Sequence, residues 1–453
     1  MKDRKPIKDS DRLKKVYFLS LGCPKNRVDT DVMAASLVQN GMMLVFDPKD
    51  ADLIVINTCS FIHDARKESV DAILELAEYK NSGRCKFLVA AGCLPQRYGK
   101  ELLESLPEID LITGTGMPDK LPDLINGTVE DTKLLNGTHF LQKRDTPRLI
   151  TEGQTSVYIK IADGCSRKCA FCAIPGIRGR AGSRSIKNIV NEAIKLVAGG
   201  ALEINLVSQD TGAYGMDLKD GTTLVDLLIE LNKIEGLRWI RILYLYPDTV
   251  TEKLLLTIDA LEKVVPYLDI PVQHASPKML KSMGRGHSKE KLKNIIGMAR
   301  KYVRNAFLRT TVMVGFPGER AADIDELIEF IEFAAFNHLG AFRYSDENGT
   351  RAVKMTPKVS KRDSYNRWRK IMSVQKRVSE VSNKKLTGCE VSVLIEDIAD
   401  ESGYVLVGRH EGQAPEIDGV TYLVNFDAKP GMIVKGKVIE AKNYDVVVEP
   451  VII

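Results

Sequence analysis

Three cysteines stand close together in the middle of the chain, at Cys165, Cys169 and Cys172, with the spacing C-x₃-C-x₂-C. They follow an apolar run at 157–162, so one tight loop carries three thiols. A structural zinc site uses four protein ligands, and no fourth Cys or His lies nearby. Soft thiolates otherwise select iron–sulfur clusters. A four-iron cluster held by three cysteines keeps one iron free of protein, which is what an enzyme needs to bind a substrate to iron.

Three further cysteines, Cys23, Cys59 and Cys93, each follow a predicted buried strand. The apolar runs that predict these strands are 16–21, 51–56 and 86–91. The carboxyl ends of parallel strands line one crevice, so we expect the three thiols to converge there. Two of them follow a glycine, which allows close approach of the backbone to a bulky group. A metal site is therefore favoured over three core thiols.

The elements that position these cysteines fall into three parts. The first 140 or so residues predict a three-layer α/β domain. Six strands separated by helices predict parallel β/α repeats after residue 155, too few for a closed eight-unit barrel, so we expect an open partial barrel. The predicted strands are 157–162, 203–208, 240–246, 268–272, 307–314 and 341–345. A long basic helix is predicted at 361–385, and five β runs at 390–395, 404–408, 421–426, 433–441 and 445–451 predict a small antiparallel barrel.

Composition and cysteine usage set the class of protein. The 453 residues are 44% hydrophobic and 28% charged, as in soluble globular proteins. We found no run of 18 apolar residues and no apolar signal segment at the start, so we expect a cytoplasmic protein without a membrane partner. Eight cysteines in that compartment favour metal ligands over disulfides. Cys85 and Cys389 match neither set and are predicted to be structural.

The loop at Cys165 resembles the cluster motif of the radical S-adenosylmethionine superfamily, and the six β/α units downstream strengthen the resemblance. In that superfamily the free iron chelates S-adenosylmethionine, and an electron cleaves the cofactor to a deoxyadenosyl radical. The resemblance implies that Phe171 packs near the adenine, the alternative being ordinary core packing. It also implies that Glu203, after a Gly-Gly pair, contacts the amino group of the cofactor, the alternative being a surface residue.

A later segment, Gly315-Phe-Pro-Gly-Glu319, lies where the superfamily has another cofactor-contact motif. The resemblance implies that Gly315 and Glu319 help to bind the cofactor. The alternative is a plain turn, which Pro-Gly would form by itself.

With the first three cysteines included, residues 16–453 resemble the methylthiotransferase family. The family resemblance implies domains at 15–140 with an auxiliary cluster, 155–385 with the radical chemistry, and 386–453 with a TRAM-like, OB-like barrel for substrate recognition. It implies two [4Fe–4S] clusters, with S-adenosylmethionine as methyl donor and radical source. Sulfur held at the auxiliary cluster would be methylated and then transferred.

Several stretches resemble the branch that modifies an aspartate of a ribosomal protein, rather than the branch that modifies adenosine in transfer RNA. Among them are Gly-Cys-Pro-Lys-Asn at 22–26 and Tyr-Ser-Asp-Glu at 344–347. Charge supplies a separate argument: residues 386–453 carry twelve acidic and five basic residues, a net −7, which disfavours RNA and favours a basic polypeptide. Residues 354–385 carry a net +9, which either contacts ribosomal RNA or forms a solvated face.

The sequence therefore predicts an enzyme that adds a methylthio group to the β-carbon of an aspartate in small-subunit ribosomal protein twelve, with an electron-donor protein as a further partner. The first alternative is a transfer-RNA adenosine methylthiotransferase. The second, from another class, is an iron–sulfur electron carrier or redox sensor with an RNA-binding barrel. Such a carrier needs no open iron and no cofactor motifs.

Overall fold

The computed structural model describes residues 13–127, 135, 139–143, 146–149, 154–398 and 405–451. Its main strands form three separate sheets, one after another along the chain. The segment 139–154, which connects the first sheet to the second, lies partly outside the described residues, and its described part contains no helix or strand. Among the helices that the structure describes, none is both long enough and apolar enough to cross a membrane.

The first sheet has five parallel strands in the order β2-β1-β3-β4-β5. Its strands are β1 (Lys15–Ser20), β2 (Met43–Leu44), β3 (Leu53–Thr58), β4 (Phe87–Gly92) and β5 (Leu111–Thr113). Its helices are α1 (Pro24–Gln39), α2 (His63–Ala77), α3 (Tyr79–Ser82), α4 (Cys93–Ser105) and α5 (Leu121–Ile125).

The central strand β3 explains why this domain has three layers. All six of its residues are buried, and its side chains alternate between two cores: Ile54 and Ile56 enter one, while Leu53 and Val55 enter the other. A strand buried on both faces has a continuous apolar sequence. The predicted three-layer α/β domain is confirmed, and the short edge strands β2 and β5 escaped prediction because two or three residues carry no clear pattern.

The second sheet has six parallel strands in the order β13-β12-β11-β10-β9-β6 and does not close. Its strands are β6 (Ser156–Lys160), β9 (Glu203–Val207), β10 (Trp239–Ile242), β11 (Val264–Asp269), β12 (Phe307–Val314) and β13 (His338–Arg343). A short antiparallel pair, β7 (Ala162–Asp163) with β8 (Gly182–Ser183), follows the first of them. The predicted open partial barrel of six units is confirmed.

Eight helices in the described part of the chain accompany this sheet, and most of them cover its outer face. They are α6 (Ile174–Arg178), α7 (Ile186–Ala198), α8 (Leu224–Asn232), α9 (Glu252–Ala260), α10 (Pro277–Ser282), α11 (Lys289–Tyr302), α12 (Ala321–Ala334) and α13 (Lys361–Lys384). The basic helix α13 packs against the edge strand β13, where Trp368 donates a hydrogen bond of 2.8 Å to the carbonyl oxygen of Ala341. The long helix predicted at 361–385 therefore covers the edge of the sheet that β13 forms.

The chain ends in a closed five-stranded barrel with the order β14-β15-β16-β18-β17. Its strands are β14 (Glu390–Ile398), β15 (Val405–His410), β16 (Thr421–Val424), β17 (Ile433–Ala441) and β18 (Val446–Pro450). The predicted small barrel is confirmed, with one difference: β16 and β18 pair in parallel, with Thr421 beside Val446. Residue 404, which was predicted to begin a strand, lies outside the described residues.

The barrel docks on the amino-terminal side of the second sheet through buried polar contacts. Arg409 of β15 pairs with Glu203 at 2.6 Å, and Arg241 donates to the carbonyl oxygen of Glu411 at 2.8 Å. Asp418 accepts from Tyr267 at 2.6 Å and pairs with Arg309 at 3.2 Å. Because the barrel occupies this side, the opposite, carboxyl-terminal side is left for chemistry.

Helix α1 of the first domain contacts both other domains with its charged side chains. Arg27 pairs with Glu416 of the barrel at 2.9 Å. Its other partners lie in the second domain or in the segment that leads to it: Asp29 with Lys160 and Arg178, and Asp31 with Arg148. Helix α1 therefore links the first domain to both other domains.

Candidate active site

The first cysteine set lies at the carboxyl edge of the first sheet, as predicted from its parallel strands. Cys23 precedes α1, Cys59 follows β3 directly, and Cys93 begins α4 directly after β4. Asn26 connects the three loops: its amide nitrogen donates to the carbonyl oxygens of Leu21 and Thr58 at 2.9 and 3.0 Å, and its amide oxygen accepts from the Cys93 Sγ at 3.8 Å. One buried side chain thus sets the relative positions of all three cysteines.

Two glycines allow these loops to approach one another. Gly22 has φ +93°, and a Cβ built on it would lie 2.7 Å from the Cβ of Cys59. Gly92 has φ +91°, and its Cβ would lie 2.2 Å from the amide oxygen of Asn57. Any side chain at either position would fill the space between the cysteine loops. The expected close approach of the backbone is therefore present at both glycines.

Burial governs the protonation of these thiols. Cys93 is fully enclosed, and desolvation raises the pKa of its thiol to about 12, although the Arg178 guanidinium acts in the opposite direction. Burial raises the pKa of Cys59 in the same way. The neighbouring cysteines add to the rise, because each disfavours a second negative charge nearby. Thiols so close together in a dry site are stabilised as thiolates by a bound metal group.

The second cysteine set lies on the loop after β7, at the carboxyl side of the second sheet. The loop is pinned to the domain at several points: Cys165 N–H donates to Gly179 O at 3.0 Å, and Ala170 N–H donates to Met283 O at 2.8 Å. Arg285 reaches the Cys169 Sγ at 3.5 Å. These contacts fix the loop to the second domain, and each of its three cysteines stays partly exposed.

A cavity of about 330 Å³ opens beside Cys165. Its walls include Arg167, Ser208 and Asp210, and Arg167 pairs with Asp210 at 2.8 Å. The second carboxylate oxygen of Asp210 is buried and has no hydrogen-bond partner among the described residues. An acidic group with a free acceptor thus lies next to the cysteine loop, at the carboxyl end of β9.

The structure corrects the predicted role of Glu203. This residue begins β9, so it lies at the amino end of the strand, away from the cysteine loop. Its fully buried carboxylate accepts from Arg241 at 2.8 Å, from Arg409 at 2.6 Å and from Ser156 at 2.7 Å. Burial alone would raise its pKa, but the two arginines lower the pKa to about 2. Glu203 fixes the barrel, and the prediction that it contacts the cofactor is wrong.

Gly315 and Glu319 form one local turn after β12. The Gly315 N–H donates to both carboxylate oxygens of Glu319, at 2.9 and 3.1 Å, and Arg367 of α13 donates to the same carboxylate at 2.7 Å. A Cβ on Gly315, whose φ is +77°, would lie 2.3 Å from the hydroxyl of Ser364 on α13. The turn and its contact with α13 therefore account for the presence of Gly315 and Glu319. This is the alternative to cofactor binding that was stated above.

Phe171 packs in a small apolar cluster under the cysteine loop. The cluster includes Met279, Met283, Phe316 and, partly buried, Tyr344. Phe171 itself is only partly buried. It therefore joins the loop to the domain core while part of its ring remains accessible.

A buried network of charges joins the two cysteine sites. Arg178, at the end of α6, donates to the amide oxygen of Asn26 at 2.7 Å and pairs with Asp29 and Asp163, each at 3.0 Å. Lys160 pairs with the same two aspartates. Burial alone would raise the pKa of Asp163, but Arg178 and Lys160 outweigh it and lower that pKa. The two cations balance the two aspartates, and all four side chains are buried, so the network fixes the distance between the two cysteine sites.

Glu347 forms a second link between the same two domains. It is 2% exposed and accepts from Arg97 at 2.8 Å and from Arg66, both in the first domain. Arg97 also donates to Ser60 O at 2.7 Å, next to Cys59. The loop after β13 therefore holds the cysteine loops of the first domain in place.

The donor set fits clusters rather than single ions. Six of the eight cysteines form the two sets, and all eight are free thiols. No three or more His, Cys, Asp or Glu side chains in the described part of the chain are arranged around one metal ion. Soft thiolates in sets of three suit iron–sulfur clusters, whereas a structural zinc site takes four protein ligands.

Three family models match the chain. Residues 15–114 match Uncharacterized protein family UPF0004, residues 159–331 match the Radical SAM superfamily, and residues 387–451 match the TRAM domain. Among solved structures, the chain is similar to the radical S-adenosylmethionine methyltransferase TsrM from Kitasatospora setae, with a TM-score of 0.54 and 14% identity over 72% of each chain. This likeness concerns the fold.

Curated relatives cover nearly the whole chain. Ribosomal protein uS12 methylthiotransferase RimO from Myxococcus xanthus is 44% identical over 434 residues, which are 96% of this chain and 91% of the relative. The protein of the same name from Geobacter sulfurreducens is 41% identical over 443 residues, 97% of this chain and 99% of the relative. That from Sorangium cellulosum is 42% identical over 442 residues, 96% and 91% of the two chains.

Proposed function

Because the chain belongs to the RimO family of ribosomal protein uS12 methylthiotransferases, we propose that it adds a methylthio group to the β-carbon of an aspartate in uS12. The observation that carries the proposal is the pair of three-cysteine sites joined by Arg178 and Asn26. A radical enzyme needs one such site, whereas inserting sulfur needs a second site that holds the sulfur.

We assign Cys165, Cys169 and Cys172 to the cluster that works with S-adenosylmethionine. Cys23, Cys59 and Cys93 are assigned to the auxiliary cluster. When bound, the first group supplies the electron that cleaves S-adenosylmethionine to a radical, and the second supplies the sulfur that is methylated and transferred. Asp210 replaces Glu203 as the acidic residue that we propose for the cofactor's amino group, because it lines the cavity beside Cys165 and one of its buried carboxylate oxygens has no hydrogen-bond partner among the described residues.

The protein's own residues fix the relative positions of the two cysteine sites and exclude water from them. Lys160, Arg178 and their two aspartates hold the carboxyl edges of the two sheets together without surface exposure. Buried walls around Cys59 and Cys93 exclude water, which would otherwise quench a radical or displace sulfur. Holding the two cysteine sites at a fixed separation would bring S-adenosylmethionine, the sulfur and the substrate together in a defined geometry, which lowers the entropic cost of their reaction.

The charge argument for a polypeptide substrate is weaker than the sequence count implied. Asp418 pairs with Arg309 of the second domain, the Glu411 carboxylate accepts a hydrogen bond from the Ser392 N–H within the barrel, and Glu416 pairs with Arg27. The net −7 is therefore only partly presented to a partner. TRAM domains are associated with RNA binding, and the assignment to uS12 rests on the relatives rather than on the barrel's charge.

We further propose that α13 contacts ribosomal RNA when the substrate is part of the subunit. Arg362, Arg369 and Lys376 are exposed on α13 and form no ion pair with the described residues. Other basic residues of this helix are already neutralised, for example Lys370 by Asp325 at 2.8 Å. The unpaired charges suit phosphate groups. An electron-donor protein completes the set of proposed partners.

The deciding experiment is mass spectrometry of uS12 from cells with and without the gene. A methylthio mass shift on an aspartate of uS12, lost when the gene is deleted, is the expected result. Purified protein assayed side by side with uS12 and with transfer RNA should modify only uS12. Modification of transfer RNA, or an iron content far below about eight per chain after reconstitution, would overturn the proposal.

A further inference from the structure

Lys25 is a buried cation at the edge of the first cysteine site. It is the second residue of α1, two positions after Cys23, and it is 8% exposed. Its ammonium lies 3.5 Å from the carbonyl oxygen of Ser208 and 4.0 Å from the centre of the Tyr244 ring. No ion pair joins it to any carboxylate in the described residues.

The absence of a counter-charge sets Lys25 apart from its neighbours on the helix. Arg27, Asp29 and Asp31 all have partners of opposite charge in other parts of the chain. A buried ammonium costs several kcal/mol unless it is paired, and a long contact to one carbonyl oxygen compensates little of that cost. Within the described residues, its Nζ also makes no hydrogen bond to the sulfur of Cys23. Among the described residues, the Lys25 ammonium therefore has one long hydrogen bond and one aromatic contact but no compensating negative charge.

Tyr244 supplies a second, independent observation. Its φ is +64°, a left-handed conformation that is rare for a bulky residue and strains the backbone. Two hydrogen bonds of 3.0 Å hold it there: its N–H donates to Asp269, and its carbonyl oxygen accepts from the Thr211 N–H. Strained residues that the surrounding structure maintains are concentrated at ligand sites. Here the strain places the aromatic ring beside the ammonium.

The position of this ammonium is also informative. Ser208 lies at the carboxyl end of β9, two residues before Asp210, which pairs with Arg167 of the Cys165 loop. The Lys25 side chain thus extends from the first cysteine site to the edge that carries the second. A substrate group bound there would lie between the two sites.

We propose that Lys25 binds the side-chain carboxylate of the substrate aspartate and so orients its β-carbon for hydrogen abstraction and sulfur transfer. The proposal rests on the proposed function and adds the group that selects an acidic side chain. A charge-assisted hydrogen bond in a dry site discriminates strongly between a carboxylate and its neutral analogues. Lys25 performs no covalent step; the aspartate carboxylate stays intact.

The test is a double-mutant cycle between enzyme and substrate. Reconstituted wild-type enzyme and the variants Lys25→Met and Lys25→Arg are titrated with uS12 that carries either Asp or Asn at the modified position. Lys25→Met should weaken binding of the Asp form about 10- to 100-fold, whereas Lys25→Arg should retain most of the affinity. The Asn form should bind the wild type and Lys25→Met equally weakly. Lys187→Met, a change at an exposed lysine of α7, serves as the matched control.

Each other outcome overturns the proposal in a recognisable way. If Lys25→Met weakens the Asp and Asn forms equally, Lys25 does not bind the carboxylate. If the variant loses iron or changes the electron paramagnetic resonance spectrum without substrate, the partner of Lys25 is the cluster. If wild-type enzyme modifies no uS12 at all, the proposed function itself is wrong. This result differs from an active enzyme whose binding of uS12 does not change in the Lys25 variants, which would contradict only the role of Lys25.

Discussion

The guanidinium of Arg178 donates a 2.7 Å hydrogen bond to the amide oxygen of Asn26, across 152 positions of sequence. The same oxygen accepts from the Sγ of Cys93. Arg178 ends the helix that follows the Cys165 loop, while Asn26 ties together the loops of the other cysteine set. A single hydrogen bond therefore couples the two predicted cluster sites.

Replacing Arg178 by Gln should disturb the first cysteine set more than the second. The change leaves Asp29 and Asp163 with one cation instead of two, and it removes positive charge beside Cys93. Breaking one partner of a buried ion pair costs about 3–5 kcal/mol. We expect iron content to fall toward four per chain, with the loss in the auxiliary signal by Mössbauer spectroscopy. The exposed neighbour Arg180→Gln should keep the full iron content.

Single cysteine variants should separate the two chemistries. Cys169→Ala should retain the auxiliary cluster but form no deoxyadenosine, because a ligand of the radical cluster is gone. Cys59→Ala should still cleave S-adenosylmethionine but transfer no methylthio group. Chromatography of deoxyadenosine and of modified uS12 measures both. Deoxyadenosine formation by Cys169→Ala would contradict the assignment, and the exposed Cys389→Ala should behave as the wild type.

The corrected role of Glu203 predicts a stability effect without a binding effect. Glu203→Gln leaves Arg241 and Arg409 without their buried carboxylate and should lower the free energy of unfolding by about 3–5 kcal/mol. The affinity for S-adenosylmethionine, measured calorimetrically, should stay unchanged. Asp210→Asn should weaken the binding of S-adenosylmethionine and leave the free energy of unfolding nearly unchanged. The exposed Glu235→Gln should affect neither quantity.

Glu347 should control how firmly the first domain is held. Glu347→Gln removes the negative charge that holds Arg66 and Arg97, so the loop around Cys59 and Ser60 loses its anchor to the second domain. Hydrogen exchange at 59–64 should become at least tenfold faster, since about 1.4 kcal/mol corresponds to a factor of ten. Exposed Asp346→Asn is the control, and equal exchange in both variants would contradict the anchoring role.

The barrel interface should weaken in mild acid through His410. Burial lowers the pKa of this histidine to about 3, against 6.5 when unfolded, and its Nδ1 accepts from the Gly412 N–H. A group whose pKa is lowered on folding stabilises fully above 6.5 and loses that contribution as pH falls toward 3. Between pH 7.5 and 5.5, the stability advantage of the wild type over His410→Gln should fall by about 1.4 kcal/mol in urea denaturation. Exposed His63→Gln should show no such change.

The arrangement of the cysteines was predictable because it depends on strand polarity alone. Buried parallel strands have an unmistakable apolar pattern, and residues after them must meet at one edge. The same rule applied to Glu203 would have excluded it: a residue that begins a strand lies at the opposite edge. The position of Glu203 after a Gly-Gly pair is a weaker indication of a cofactor contact than the position of a residue relative to its strand. By that rule Asp210, which follows β9, is the better candidate.

The connecting residues were not predictable from local patterns. Arg178 lies in an ordinary basic segment, and Lys25 looks like any lysine in the first turn of a helix. Their significance comes from partners more than 140 positions away, and burial of a charge leaves no signature in the sequence around it. The barrel's acidic charge is a weak argument for the same reason, since Asp418 and Glu416 pair with arginines of the other two domains.

Helix α1 limits how this protein can be taken apart or recombined. Its charged residues find their partners in the second domain, the barrel and the intervening segment, all of which are synthesised later. A first domain expressed alone would expose these side chains unpaired, and a chimera with a distant relative would need matched changes on both sides. The three sheets are separate in topology, yet the ion pairs of α1 make their stabilities interdependent.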